Sequence, residues 1–263
     1  GAPGLGKTRL LQQLATCCSL DFKRIQGTPD LMPSDITGSE IYNQSQGNFE
    51  FEPGPIFSQL CMFDELNRAT PRTQSALLQA MEESQVSAAR TTHQLPSPFI
   101  VVSTQNPIEL EGTFPLPEAQ LDRFLTRIDL RQPSTESLVK ILRLGPNNDT
   151  PNLAASSLLD IQAAVHDIAI ADDLVRQVAE LTTATHSNDN IQFGVSPRGA
   201  LSIISLAKGF AFLRDQQHVQ PLDIQNAVLP CLRHRITLAY HAAGHESCSD
   251  DILIEILSAH PIS

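Results

Sequence analysis

The sequence predicts an α/β domain built on a parallel sheet, followed by a smaller, mostly helical domain. Three observations predict it. Through the first half, short apolar runs alternate with stretches of helical spacing. The runs are continuously apolar and end in polar residues, as strands buried on both faces do. Beyond about Pro133 the strand-like runs stop, and proline, Asn and Asp separate one helical pattern from the next. The division expected is 1–132 for the α/β domain and 133–263 for the helical one.

Taken in order, residues 7–19 (KTRLLQQLATCCS) have helical apolar spacing, and 22–26 (FKRIQ) form a strand. Residues 43–54 (NQSQGNFEFEPG) alternate around glycines and predict a hairpin. Residues 59–63 (QLCMF) and 99–103 (FIVVS) are buried strands on either side of a helix at 73–82 (TQSALLQAME). A second hairpin is expected at 85–95, although Ala88-Ala89-Arg90 stands where turn-forming residues belong. Ile128–Leu130 is expected as a last strand. Five helical patterns follow: SLVKILRL, LLDIQAAVHDI, DDLVRQVAELTTAT, SPRGALSIISLAKGFAFL and PLDIQNAVLPCL. The chain has no repeat and no low-complexity tract.

Of 263 residues, 41% are hydrophobic and 18% charged, enough apolar material for a proper core. No stretch of eighteen apolar residues occurs, which argues against a membrane span. The formal net charge of −11 argues against a dedicated nucleic-acid binder. The five cysteines, Cys17, Cys18, Cys61, Cys231 and Cys248, make no C-x-x-C pair. They read as free thiols of a reducing cytoplasm.

Gly1-Ala2-Pro3-Gly4-Leu5-Gly6-Lys7-Thr8 matches G-x-x-x-x-G-K-[ST] in full, with Arg9 directly after it. The glycines let the backbone curl with its N–H groups pointing inward. The positive end of the following helix then faces the phosphates. Lys7 is expected on the β- and γ-phosphates of ATP and Thr8 on Mg²⁺. Leu60-Cys61-Met62-Phe63-Asp64-Glu65 is an apolar strand ending in two acids. Such a strand delivers both carboxylates to the sheet edge where open α/β sheets bind ligands. Asp64 is expected to hold Mg²⁺, mainly through its water shell, and Glu65 to polarise the attacking water. Ile100-Val-Val-Ser-Thr-Gln-Asn106 is a second strand ending in polar groups.

Four segments resemble MoxR ATPases: RIQGTPDLMPSDITGSE (24–40), DELNRATPRTQSALLQAMEE (64–83), STQNPIELEGTFPLPEAQLDRF (103–124) and VSPRGA (195–200). The resemblance covers nearly the whole chain. It implies a three-layer αβα P-loop NTPase domain of the AAA+ type, then an all-α lid. It also implies the clade with an insertion in the second helix, here 43–54, and a hairpin before sensor 1, here 85–95. The magnesium chelatase ATPase subunit belongs to the same clade. In AAA+ proteins a central strand precedes the phosphate loop, so a strand is expected ahead of Gly1. A chain that starts there is expected to be truncated and poorly stable.

The resemblance also assigns roles. Asn106 stands where sensor 1 contacts the γ-phosphate or the lytic water. Arg123, in Leu-Asp-Arg-Phe, stands at the arginine finger and is expected to reach a neighbouring subunit's γ-phosphate. A salt bridge with Asp122 or Glu118 is the alternative, and Arg127 is the runner-up finger. Arg198, in Ser-Pro-Arg-Gly, matches sensor 2, with Ser196 as N-cap and Pro197 in the first turn. Arg68 is typical of the family and has no role from sequence. Members assemble as hexameric rings and often work with a partner carrying a von Willebrand factor A domain.

The expected protein is therefore a cytoplasmic ATP hydrolase that remodels or assembles partner proteins, chaperone-like, as in metal-cofactor insertion. The alternatives are a nucleic-acid motor or loader and a chelatase ATPase subunit. His241 and His245, at i and i+4 with His234 upstream, lack a matching ligand set for zinc. Cys17 and Cys18 read as core residues. Phe49 and Phe51 read equally as an exposed partner contact or as one packed strand face.

Overall fold

The computed structural model describes residues 4–88, 91–106, 112–144, 153–243 and 249–263. Contacts divide the chain into two units. The first holds Gly1–Leu116 and Asp129–Leu159, and the second holds Pro117–Ile128 and Asp160–Ser263. The chain thus enters the second unit at 117, returns to the first at 129, and leaves it again after 159.

The first unit opens with α1 (Lys7–Cys17), β1 (Phe22–Gln26) and α2 (Pro33–Thr37). A hairpin of β2 (Gly38–Asn43) and β3 (Asn48–Pro53) leads to β4 (Leu60–Asp64), a 3₁₀ turn at Leu66–Arg68, and α3 (Pro71–Glu83). A second hairpin, β5 (Gln85–Ala88) and β6 (Thr91–Gln94), precedes β7 (Ile100–Ser103). The strands β1, β4 and β7 form one parallel sheet in that order. The central strand is β4, and Leu60, Cys61, Met62 and Phe63 are all fully buried. A run of four apolar residues with no polar alternation suits only such a position.

Ile128–Leu130 is not a strand; the segment is irregular, and the described sheet has three strands. Ile128 lies 74% exposed and Asp129 follows it, so the run buries too little to hold a strand. The helix α5 (Thr135–Leu144) and the chain on to Leu159 also belong to this unit. The first hairpin spans 38–53, five residues longer at its start than the 43–54 expected. Its base is tight: a Cβ on Gly38 would sit 2.2 Å from the Glu52 carbonyl oxygen, and one on Gly54 2.2 Å from that of Ile36. Its turn is closed by the Asn43 side chain, which accepts from Ser45 N–H at 3.0 Å. The second hairpin forms where expected, and its tip, Ala89-Arg90, lies outside the described residues. Phe51 of β3 stacks on His93 of β6, ring centroids 4.0 Å apart, while Phe49 stays 65% exposed.

The second unit begins with α4 (Glu118–Leu121). Next, α6 (Ala155–Asp167) carries the chain across the boundary at Asp160. Then come α7 (Asp172–His186), β8 (Ile191–Phe193), α8 (Pro197–Leu213), α9 (Pro221–Leu232), β9 (Thr237–Leu238), α10 (Tyr240–Ala243) and α11 (Ser249–Ala259). Its core joins Val178, Leu181, Ile203, Ala207, Ile224 and Val228 with residues of α11. Small side chains on α8 let α9 approach closely. The expected helices are present. The domain is helical as expected, with one short antiparallel pair, β8–β9, among its helices. The thiols of Cys61 and Cys231 are free and buried, and burial pushes them up to about 12 and about 11. Both therefore act as small apolar residues. Cys17 and Cys18 are free and half-buried, and Cys248 lies outside the described residues.

His234, buried in this unit, faces the Phe124 carbonyl oxygen through Nε2 at 3.0 Å. A carbonyl only accepts, so Nε2 carries the proton, and the buried Nδ1 has no partner among the described residues. Burial pushes the imidazole down to about 4, against the Phe124 carbonyl and helped by the charges of Arg235 and Arg127. In the unfolded chain it titrates near 6.5, so below that pH the unfolded state takes up a proton that the folded state refuses. Stability should therefore fall as pH drops from 6.5 to about 4 and flatten below. Between pH 7 and 5 this group accounts for on the order of 2 kcal/mol. Urea midpoints at both pH values should show the loss in the wild type and a smaller loss in His234→Gln. Equal losses would show that another group is responsible.

Candidate active site

Gly1, Ala2 and Pro3 of the glycine motif lie outside the described residues. Gly4 and Gly6 adopt φ of +79° and +76°, left-handed conformations that suit glycine, and an added Cβ at either would meet nothing within 4 Å among the described residues. With Leu5 between them they form an open turn. Helix α1 begins at once with Lys7, and its start has no side-chain cap and no acid in the first turn. The positive end of the helix thus meets no acidic side chain of its own first turn. Lys7 and Thr8 are half-buried in that turn and Arg9 is exposed. On the other side of the helix, Ala15 packs with Leu20 and with Leu60 of β4. The strand that supports this helix is the one that ends in the paired acids.

Asp64 is the last residue of β4, and its side chain is 13% exposed. One carboxylate oxygen accepts the Thr104 hydroxyl at 2.5 Å, and the other accepts Arg24 Nη2 at 2.5 Å. Glu65 follows in a left-handed conformation, φ +56° and ψ +51°, uncommon for a residue with a side chain. Its carboxylate accepts from Gln26 Nε2 at 3.0 Å and from Arg68 Nη1 at 3.1 Å. Thr104 lies just past β7 and makes four contacts. Its N–H donates to Phe63 O, its carbonyl accepts from Leu66 N–H, and its hydroxyl donates to Asp64 while accepting from Glu65 N–H at 2.9 Å. Gln74 of α3 braces the same turn, donating to the carbonyls of Leu66, Ala69 and Phe114. Asn106 lies two residues beyond Thr104 and is 5% exposed.

The glycine turn, Lys7, Thr8, Asp64, Glu65 and Asn106 all belong to the first unit. Sequence reasoning did not single out Thr104, Arg24, Gln26 or Gln74. A signal existed for two of them: Arg24 and Gln26 are polar residues two apart on a strand, and Gln26 pairs in register with Asp64. Arg68, without a role from sequence, is placed against Glu65.

Arg123 and Arg198 belong to the second unit. Arg123 is half-buried just after α4, and Arg198 is exposed in the first turn of α8. Ser196 caps α8, accepting from Gly199 N–H, with Pro197 at its first position, as expected. Asp122, beside Arg123, accepts from the Ser196 hydroxyl at 2.9 Å and pairs with Arg235 Nε at 2.8 Å. Among the described residues no group of three or more His, Cys, Asp or Glu could hold a metal ion, and His245 lies outside them.

Residues 1–126 match a family model described as the ATPase family associated with various cellular activities (AAA), and residues 183–256 match the AAA lid domain. The chain is 41% identical over 262 residues to the uncharacterized protein YeaC of Bacillus subtilis, covering 98% of this chain and 82% of that one. It is 38% identical over 269 residues to the chaperone MoxR1 of Mycobacterium tuberculosis, covering 98% and 71%. Identity to the protein MoxR of Paracoccus denitrificans is 31% over 268 residues, covering 91% and 78%. A crystal structure from Cytophaga hutchinsonii, described as a candidate ATPase, matches with a TM-score of 0.92 at 39% identity, covering 100% of this chain and 84% of that one.

Replacing Thr104 by valine keeps its shape and removes both hydroxyl bonds, leaving the Glu65 N–H unsatisfied beside Asp64. Urea unfolding should show a loss of about 1–3 kcal/mol for Thr104→Val and a smaller one for Thr104→Ser. An unchanged midpoint in the valine variant would mean that the hydroxyl does not hold this turn.

Proposed function

The chain belongs to the MoxR family of AAA+ ATPases, and from that premise we propose that it hydrolyses ATP to ADP and phosphate and uses the turnover to remodel or assemble partner proteins. One observation carries the reading. A helix that opens behind two left-handed glycines packs, through Ala15 near its other end, on Leu60 of the strand whose far end presents Asp64 and Glu65.

The residues suit a magnesium–nucleotide complex. Thr8 and Asp64 offer only oxygen donors, the ligands Mg²⁺ prefers. The glycine turn leaves open space where side chains would block phosphate oxygens. Mg²⁺ held by Thr8 and Asp64 would supply charge neutralisation on those oxygens. The backbone N–H groups that open α1 bind the triphosphate, and the Lys7 ammonium pairs with its β- and γ-oxygens. Glu65 orients a water and takes its proton as the oxygen attacks the γ-phosphorus. The bond to the β–γ bridging oxygen breaks, and phosphate leaves ADP. Gln26 and Arg68 hold the Glu65 carboxylate in place for this. Asn106 positions the water or the γ-phosphate. Arg123 is supplied in trans to a neighbouring subunit's ATP, and Arg198 reports nucleotide state.

Trans supply implies a ring, and we take the hexamer of the family as the working assembly. A von Willebrand factor A domain protein is the partner class, and metal-cofactor insertion into a client is the finer role. The name of the Mycobacterium relative, a chaperone, supports the remodelling reading. The net charge of −11 disfavours the nucleic-acid motor. No helix among the described residues is long and apolar enough to cross a membrane, and we propose the cytoplasm as its place of work.

Two variants of the natural protein test the site together. Lys7→Ala and Arg123→Ala should each lose hydrolysis by roughly 10³-fold or more. Mixed in one assembly, they should regain part of it, because some interfaces pair an intact ATP site with an intact finger. No recovery despite mixed assembly would overturn the trans role. Glu65→Gln should bind nucleotide with unchanged affinity and turn over very slowly.

A further inference from the structure

Arg235 is a charged side chain only 1% exposed, and its donors are all used. Its Nε donates to Asp122 Oδ1 at 2.8 Å. Nη1 donates to the carbonyls of Leu125 at 3.1 Å and Cys231 at 2.5 Å. Nη2 donates to the carbonyls of Asp122 at 3.0 Å and Phe124 at 2.7 Å, and to the Ser202 hydroxyl at 3.0 Å. Four of these six bonds go to residues 122–125, the turn that carries Arg123. The other carboxylate oxygen of Asp122 accepts from Ser196, the cap of α8. The stem of Arg235 runs against the first turn of α8, where a Cβ on Gly199 would come within 3.0 Å of its Cδ. His234 adds a bond to the Phe124 carbonyl oxygen.

Stability alone does not account for this choice of residue. A buried ion pair commonly contributes no more than apolar packing of the same volume. A guanidinium does what an apolar side chain cannot: its planar fork fixes several acceptors at set angles. Here those acceptors are the irregular carbonyls of one turn and a carboxylate shared with the start of a helix. We propose that Arg235, with Asp122, is a positioning residue that sets the reach of Arg123 by clasping the 122–125 turn to the first turn of α8. The proposal rests on the reading of Arg123 as the finger supplied in trans. It places a second arginine behind that function, one that touches no nucleotide.

The test uses the mixed assembly of the natural protein. The Lys7→Ala subunit donates Arg123 to the Arg123→Ala subunit, and the recovered rate reads the quality of that finger alone. Adding Arg235→Lys to the donor should cut the recovered kcat by roughly tenfold to a hundredfold, the cost of a small misplacement, with KM for ATP unchanged. Adding Arg235→Lys to the Arg123→Ala subunit instead should cost less than about threefold, since that subunit's finger is already gone. A merely structural role would lower both alike. Because lysine in this buried place can impair folding, Asp122→Asn on the donor serves as the second variant. It keeps the side-chain volume and an acceptor oxygen, and should still lose at least about threefold in kcat. Full recovery with both donor variants, or equal losses on either subunit, overturns the proposal and leaves the trans finger standing. If the unmodified pair fails to recover although mixed assemblies form, the reading of Arg123 itself falls, and the proposal falls with it.

Discussion

The strand β4 has no face toward water, and that burial decides where its last two residues can go. Both neighbours run parallel to it, so all three strands end at the same edge of the sheet. In register, Gln26 stands beside Asp64 on one side and Ser103 beside Phe63 on the other. Polar residues at the ends of three separate strands are thereby collected at one place, although some 40 residues of chain separate each pair. The same burial seats α1, whose Ala15 packs on Leu60. Neither hydrogen bonding nor charge needs to search for this arrangement; both operate within a frame that hydrophobic packing has already set.

The polar groups at that edge are then restrained one by one. Asp64 has an acceptor oxygen for each of two donors, and Glu65 is held by an amide and a guanidinium. Thr104 closes the set with a single hydroxyl that donates to one acid and accepts from the backbone of the next. The second unit solves a similar problem differently. There the turn after α4 has several carbonyls that no strand or helix satisfies, and one buried guanidinium answers most of them. In both units, irregular backbone is tolerated because a side chain from elsewhere in the sequence completes its hydrogen bonds.

This division also explains what could be read from the sequence. The strands β1, β4 and β7 and the helices α1, α3, α7, α8 and α9 carry their periodicity locally and were legible as such. So were the glycine motif and the two acids, whose spacing is itself the signal. The strand expected at 128–130 was an over-reading of a short apolar run that lacks anything to bury it. The longer base of the first hairpin went unseen because it depends on backbone approach at Gly38 and Gly54, far apart in sequence. Thr104 and Arg235 were invisible for a related reason: their partners lie 40 and 113 residues away. Periodicity reports neighbours along an element and is silent about such distant bonds.

The backbone at Glu65 shows what the arrangement demands of one residue. Its left-handed conformation costs a non-glycine residue about 1–3 kcal/mol, and the surrounding bonds from Thr104 and Gln74 keep it there. A glycine at 65 would relax the chain and delete the carboxylate in the same change. At this position the amino acid that suits folding and the one that suits chemistry are different. Evolution toward greater thermal resistance is therefore closed at this turn by the simplest route open to it elsewhere.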